Sequence, residues 1–158
     1  MGCCDAPGLM PLEDAMDKML SRIKPIKTTH RSPLADALGY VLAEDVLSPI
    51  FVPPFDNSAM DGYALRLSDL TESNTLPLAG KSFAGQPFEG DWPEKTCIRI
   101  MTGAKIPSGC DAVVMQENTS VSEDGIIFNQ TDIAPQNNIR PLGDDIRQGD
   151  IVLEQGAR

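Results

Sequence analysis

Glycine and proline punctuate this chain so densely that long helices and long strands have little room to form. Its 158 residues include 13 glycines and 13 prolines, about one residue in six where one in eight is usual. Glycine admits positive φ, and proline fixes φ and lacks an N–H, so each tends to end a regular element. Such spacing suits many short strands joined by tight turns better than a helical bundle. The remainder is ordinary for a globule, with 41% hydrophobic and 23% charged residues, which argues against disorder. A chain of this size buries about 68–70% of the surface its unfolded form exposes, so a core can form.

One segment escapes the punctuation. Leu12, Ala15, Met16, Met19, Leu20 and Ile23 recur at helical spacing and make one apolar stripe. Pro11 suits the first helical position, Glu13 and Asp14 face the positive end of the dipole, and Lys18, Arg22 and Lys24 the negative end, with Pro25 as a stop. The stripe could be core or a dimer seam. A second, shorter helix is expected from Ser32 as N-cap and Pro33 at the first position, ending at Gly39.

From there the pattern changes to strands. Tyr40–Ala43 reads as one, and further candidates are Tyr63–Leu67, Leu76–Lys81, Thr96–Met101, Ala112–Gln116, Ser120–Glu123 and Ile126–Asn129. Asp124-Gly125 is a two-residue hairpin signal of the type I′ kind. Asn138–Arg140 and Ile151–Leu153 flank a glycine-containing stretch at 143–149. Helices followed by short strands do not alternate as a doubly wound sheet requires. The expected class is α+β and elongated, in two subdomains: a helix-containing one over 1–49 and 138–158, and a β-rich one over 50–137 inserted between them.

Charge and cysteine usage narrow the function. Thirteen basic against 23 acidic residues leave a net charge of −10, which argues against nucleic acid or an anionic membrane as partner, since both demand a basic footprint. An acidic protein that handles an anionic substrate needs a local positive site or a divalent cation in between. Cys3, Cys4, Cys97 and Cys110 show no C-x-x-C spacing and there is one histidine, His30, so a Cys/His zinc site is poorly supported. Cys3 and Cys4 read as reduced thiols. No apolar run is long enough for a membrane span, and Met1–Asp5 lacks a signal-peptide pattern, so a cytoplasmic location is expected.

Three loops carry dense polar function. In Pro53–Tyr63, two prolines precede Asp56, Asn57, Ser58 and Asp61, with Gly62 available for positive φ. Oxygen ligands so crowded suit Mg²⁺, although an Asx-rich turn satisfying its own backbone explains them as well, and the spacing excludes an EF-hand. In Arg99–Asp111, a strand ends at Thr102-Gly103, where N–H groups and a hydroxyl could receive an anion, with Arg99 and Lys105 adding charge. The alternative is a plain β-connection. In Asn138–Asp150, Asp144 and Asp145 lie between Arg140 and Arg147; this is either a solvated salt-bridge patch or a second carboxylate source with Arg140 on an oxyanion.

Taken together, Pro54-Phe55-Asp56-Asn57-Ser58-Ala59-Met60-Asp61-Gly62-Tyr63-Ala64, Arg99-Ile100-Met101-Thr102-Gly103-Ala104 with Pro107, and Arg140 with Gly143-Asp144-Asp145 resemble the molybdopterin molybdenumtransferase family, which includes a similar module in gephyrin. The resemblance runs from near Leu9 to Arg158. It implies insertion of molybdate into adenylylated molybdopterin, the last step of molybdenum cofactor synthesis, with an active site at the interface of a homodimer. It further implies that Asp61, Thr102 and Asp145 are the catalytic positions, with Asp61 and Asp145 organising Mg²⁺ or polarising water. Thr102 would hydrogen-bond an anionic group, Ser58 and Arg140 would bind substrate, and the molybdopterin adenylyltransferase would be a partner. Family members continue into a pterin-binding α/β domain and a small β domain, so this chain is expected to be an N-terminal fragment without activity of its own. A non-catalytic dimerisation or scaffold module is the rival reading. A carboxylate-metal phosphohydrolase on Asp56 and Asp61 is a more distant one.

Overall fold

The structure is a computed structural model and describes residues 10–158; the expectation for Cys3 and Cys4 lies outside the described residues. Packing divides the chain into two units, one running to Ala43 and including Arg158, the other Glu44–Ala157.

The first unit holds α1, Leu12–Leu20. Pro11 is its N-cap rather than its first helical residue, with Glu13 and Asp14 in the first turn and Lys18 in the last. The helix ends at Ser21, whose N–H donates to the Asp17 carbonyl at 2.9 Å, so it stops before Ile23 and Pro25. None of its residues is buried, and Leu12 and Leu20 are 68% and 60% exposed. The second expected helix is only a 3-10 turn at Leu34–Asp36. Pro33 takes the N-cap position and brings no side-chain acceptor, while the Ser32 hydroxyl donates to the Pro33 carbonyl instead of capping. A helix this short has nothing to offset its nucleation cost. Tyr40–Ala43 forms no strand; the His30 ring meets Tyr40 edge-on at 5.1 Å.

Among the described residues the second unit carries all the strands: β1 Val46–Leu47, β2 Asn57–Ser58, β3 Gly62–Leu65, β4 Thr75–Leu76, β5 Leu78–Ser82, β6 Cys97–Ile100, β7 Ala112–Met115, β8 Thr119–Val121, β9 Ile126–Phe128, β10 Ile139–Arg140 and β11 Ile151–Leu153. The described residues thus form a mostly β structure with one α-helix. Four strands make the main sheet, in the order β5-β6-β3-β7. β3 lies antiparallel to both neighbours, with Tyr63 opposite Arg99 and Val114, whereas β5 runs parallel to β6. A three-stranded sheet β4-β9-β8 packs against it, and β1–β11 and β2–β10 are two-stranded antiparallel pairs.

Strand residues alternate between the two faces of the main sheet. Tyr63, Leu65, Cys97 and Val114 point to one side and pack with Leu76, Ile126 and Phe128 of the second sheet, with the Tyr63 and Phe128 rings edge-on at 6.3 Å. Ala64, Ile98, Ile100 and Val113 point to the other and meet Ala104, Phe88, Trp92 and Ile106. Both faces are therefore covered. Full burial of Leu65, Ile98, Ile100, Val113 and Val114 contributes about 1.5–3 kcal/mol per side chain.

Boundaries differ from the sequence reading at Pro77 and at the β8–β9 turn. Leu76–Lys81 is two strands, because Pro77 has no N–H for a ladder and the chain changes sheets there, from β4 to β5. In the β8–β9 hairpin, the Ser122 N–H donates to the Gly125 carbonyl, so Glu123-Asp124 turns the chain, one residue earlier than the Asp-Gly signal places it. Gly125 serves elsewhere: at φ +142° it passes the backbone of Leu76, whose carbonyl oxygen would lie 2.5 Å from a Cβ.

Candidate functional site

The three polar loops meet. Residues 56–58 form a short central rung, with residues 103–106 on one side and residues 138–140 on the other. The Ile106 N–H donates to the Asp56 carbonyl, Ser58 N–H to Ala104, and Gly103 N–H to Ser58, at 2.8–3.0 Å. Opposite, Ser58 pairs with Ile139, Asn57 with Arg140, and the Ala59 N–H donates to the Asn138 carbonyl at 2.9 Å. The third loop is tied down again from the first, since Asp56 Oδ1 accepts the Leu142 N–H at 2.7 Å. Behind it, Val52 and Pro53, joined by a cis peptide, accept the N–H groups of Asp145, Ile146 and Gly143.

At the end of this rung Asp61 and Thr102 are directly bonded. Asp61 Oδ1 accepts both the Thr102 N–H at 2.8 Å and the Thr102 hydroxyl at 2.6 Å. These two bonds, the hydroxyl first, hold the Asp61 carboxyl below the usual carboxylate range, and the Arg99 charge adds to the effect. A carboxylate fixed by two donors is a pre-oriented anion at the mouth of a loop cluster.

The next residue, the first of β3, is a glycine for a steric reason. Gly62 does not adopt positive φ; the sequence reading is corrected on this point. A Cβ on Gly62 would lie 2.0 Å from the Val114 carbonyl oxygen. Glycine is required because β3 and β7 come this close.

Arg140 and Asp145 form the second pair. Arg140 donates from Nη2 to Asp145 Oδ1 at 2.6 Å and from Nε to Asp144 Oδ2 at 3.2 Å. Both carboxylates, Asp145 foremost, raise the Arg140 guanidinium above its ordinary value. Ser58 stands apart: it is 1% exposed, and its hydroxyl donates to the Met60 carbonyl at 2.6 Å while accepting the Met60 N–H at 3.3 Å. That arrangement closes the turn into Asp61.

Asp61 and Asp145 thus each have a partner of their own. Among the described residues no group of three His, Cys, Asp or Glu side chains could hold a metal ion, so an all-protein cage is absent there. Mg²⁺ rarely uses one; it keeps several waters and takes one or two carboxylates together with substrate oxygens. The donor set present is compatible with that mode. No helix among the described residues is long and apolar enough to cross a membrane.

Sequence reasoning overlooked Asp56 as the clamp on the third loop, and Asp111, whose Oδ2 accepts the Leu67 N–H at 3.0 Å. Both bonds join residues more than forty apart, and nothing in the local sequence signals them.

A molybdopterin molybdenumtransferase from Haemophilus influenzae is 53% identical over 150 residues, covering 95% of this chain and 37% of that protein. Molybdopterin molybdenumtransferase 2 from Mycobacterium tuberculosis is 38% identical, over 88% of this chain and 34% of its own length. The crystal structure of a molybdopterin biosynthesis moeA protein from Pyrococcus horikoshii OT3 matches with a TM-score of 0.82 at 34% identity, over 93% of this chain and 40% of that one. The chain therefore spans little more than a third of the length of these relatives. The family described as MoeA N-terminal region (domain I and II) matches residues 10–158, and the chain belongs to that family.

Proposed function

We propose that this chain is the N-terminal region of a molybdopterin molybdenumtransferase and that its loop cluster contributes to insertion of molybdate into adenylylated molybdopterin. The observation that carries the reading is the doubly bonded Asp61–Thr102 pair, which joins the first two of the three polar loops that meet around residues 56–58. Activity requires the remainder that the relatives carry, and this region alone is inactive. The relatives' greater lengths support that view, and the family's description as domains I and II is the ground for reading two subdomains, taken as 1–49 with 138–158 and 50–137. An elongated shape with a helix-containing dimerisation part, a homodimer, an encounter with the molybdopterin adenylyltransferase and a cytoplasmic location belong to the same reading.

The residues divide the work. Asp61 is held ionised and oriented, and can accept a proton from, or polarise, a water beside the substrate. Thr102 has a single hydroxyl hydrogen, which Asp61 now holds. To serve an anionic substrate oxygen the hydroxyl must rotate, and the Thr102 N–H keeps Asp61 in place as it does. Arg140 offers a guanidinium steadied by Asp144 and Asp145, and Ser58 supports the turn beneath. Mg²⁺, with Asp61 and Asp145 as its candidate contacts, would supply positive charge between these carboxylates and an anionic substrate.

The test is Asp61→Asn in a full-length family member that carries this region. Insertion of molybdate should fall by about 10²–10³-fold, the scale for removing one preorganised electrostatic group, with fold and assembly unchanged. Normal insertion by the folded variant refutes the assignment. A dimerisation module is the second reading, favoured by the uncovered stripe of α1, with Met16 and Met19 at 47% and 60% exposure. It requires a dimer of the 158-residue chain in light scattering, and a monomer at high concentration rules it out.

A further inference from the structure

Arg99, a cation of the second loop, makes its side-chain contacts with residues that flank or bond Asp61. From β6 its Nη1 donates to the Gly62 carbonyl at 2.7 Å, and its Nη2 to Gln116 Oε1 at 2.6 Å. The guanidinium also lies over the Tyr63 ring, 5.0 Å from its centroid. Gln116 in turn donates its backbone N–H to the Asp61 carbonyl at 3.0 Å. The two successive peptides after Asp61 are therefore each held at the carbonyl, by Gln116 on Asp61 and by Arg99 on Gly62. Three residues beyond Arg99, Thr102 holds the Asp61 carboxylate. One short segment of chain, residues 99–102, thus holds the Gly62 carbonyl through Arg99 and the Asp61 carboxylate through Thr102.

We propose that Arg99 is a positioning residue for Asp61, acting through its fork between Gly62 and Gln116, rather than a ligand for an anionic substrate. The inference deepens the functional reading given above and rests on it for the importance of Asp61, but the geometry is independent of that activity. Both guanidinium arms have protein acceptors, and the face of the ion is stacked on an aromatic ring that is itself in the core. Two of its five N–H donors are thus committed, and the plane of the guanidinium is fixed by them and by the ring beneath. A lysine could not replace it, because one ammonium on a flexible stem cannot span two acceptors in a fixed plane.

The experiment uses the 158-residue chain and reads its ¹⁵N–¹H spectrum and amide hydrogen exchange. The Thr102 amide, bonded to a carboxylate, serves as the spectroscopic marker of Asp61 placement, with Asp61→Asn as the reference for its loss. Arg99→Met should shift the Thr102 amide toward the Asp61→Asn position and speed exchange at Thr102 and Gln116 by roughly tenfold or more, the scale of one lost bond to a charged group. Exchange in β7 should stay unchanged. Arg99→Lys, which keeps the charge and loses the fork, should give the same local result and decides the matter if the methionine variant does not fold. Native shift and protection at Thr102 in either folded variant overturns the proposal. Loss of the whole fold in both variants overturns it too, by placing Arg99 in general stability. Should Asp61→Asn retain full molybdate insertion in a full-length relative, the functional reading fails while the Arg99–Thr102 linkage stands or falls on the spectra alone.

Discussion

Two glycine-to-alanine substitutions separate backbone crowding from side-chain crowding. At Gly62 an added Cβ would meet the Val114 carbonyl oxygen at 2.0 Å, the Val114 carbonyl carbon at 2.8 Å and Met115 Cα at 3.1 Å. All three are backbone atoms of β7, which pairs with β3 along Gly62–Leu65 and is covered on both faces. Relief demands that the strands separate by more than an ångström. That breaks the ladder bonds around Gly62, at about 1 kcal/mol each, and the Arg99 bond to its carbonyl, at roughly 1.5–3 kcal/mol. The expected loss is about 3–5 kcal/mol, a large part of the 5–15 kcal/mol typical of a domain. At Gly80 the nominal overlap is similar, with Phe88 Cε2 at 2.5 Å. There Gly80 lies on the edge strand β5 and the obstacle is the far end of the partly buried Phe88 ring, which can shift. Alanine also removes unfolded-chain entropy worth about 0.4–1 kcal/mol, so Gly80→Ala should stay within about 1 kcal/mol of the parent. Urea unfolding of both variants decides. With a slope of about 1–3 kcal/mol/M the Gly62→Ala midpoint should drop by more than about 1 M, and equal midpoints for the two variants would refute the argument from backbone contact.

Burial pushes the Cys97 and Cys110 thiols up to about 12 and about 11, so neither is a thiolate at pH 8. Both should resist alkylation in the folded chain and react only after denaturation, as located by peptide mass; labelling of the native chain at a free-thiol rate contradicts this. The hydrogen bond from Lys95, then its charge, lowers the Glu72 carboxyl, and Glu72 raises Lys95 in the same order. The Glu72 contribution is present above the unfolded carboxyl value and disappears as pH falls through the folded one. Lys95 behaves oppositely, contributing below the ordinary amine value and losing it as pH rises through the folded value. In an NMR titration Lys95→Met should return Glu72 upward, and because the pair is exposed, added salt should shrink the difference.

The amphipathic stripe of α1 and most core strands could be read from periodicity alone, because each depends on local composition. β6, β7 and β9 fall within a residue or two of their expected ends. Failures occurred where a distant contact overrides a local preference. The Asp-Gly pair signals a tight turn, yet Gly125 is placed by the approach of Leu76, some fifty residues earlier, and the turn shifts to Glu123-Asp124. Pro77 is visible as a strand breaker, but only the fold shows that the chain uses it to cross between sheets. The parallel β5–β6 pair has no local signature at all.

The same distinction explains the site. Composition identifies three polar loops, and a salt-bridge patch or an Asx turn would have explained each singly. Their backbone bonds to one another change the weight of those explanations. A rung at residues 56–58 that exchanges bonds with residues 103–106 on one side and 138–140 on the other cannot be three independent turns, since the first loop's hydrogen bonding is completed by the other two. Asp56 then reads as part of the scaffold, clamping Leu142, while Asp61 projects from the rung's end with its carboxylate fixed by Thr102. The two bonds from Thr102 both stabilise the charged Asp61 carboxylate and fix its orientation, in a chain of net charge −10. The physical content of the motif is thus a division of labour among neighbouring acids. One holds the loops together, and the other is held by them.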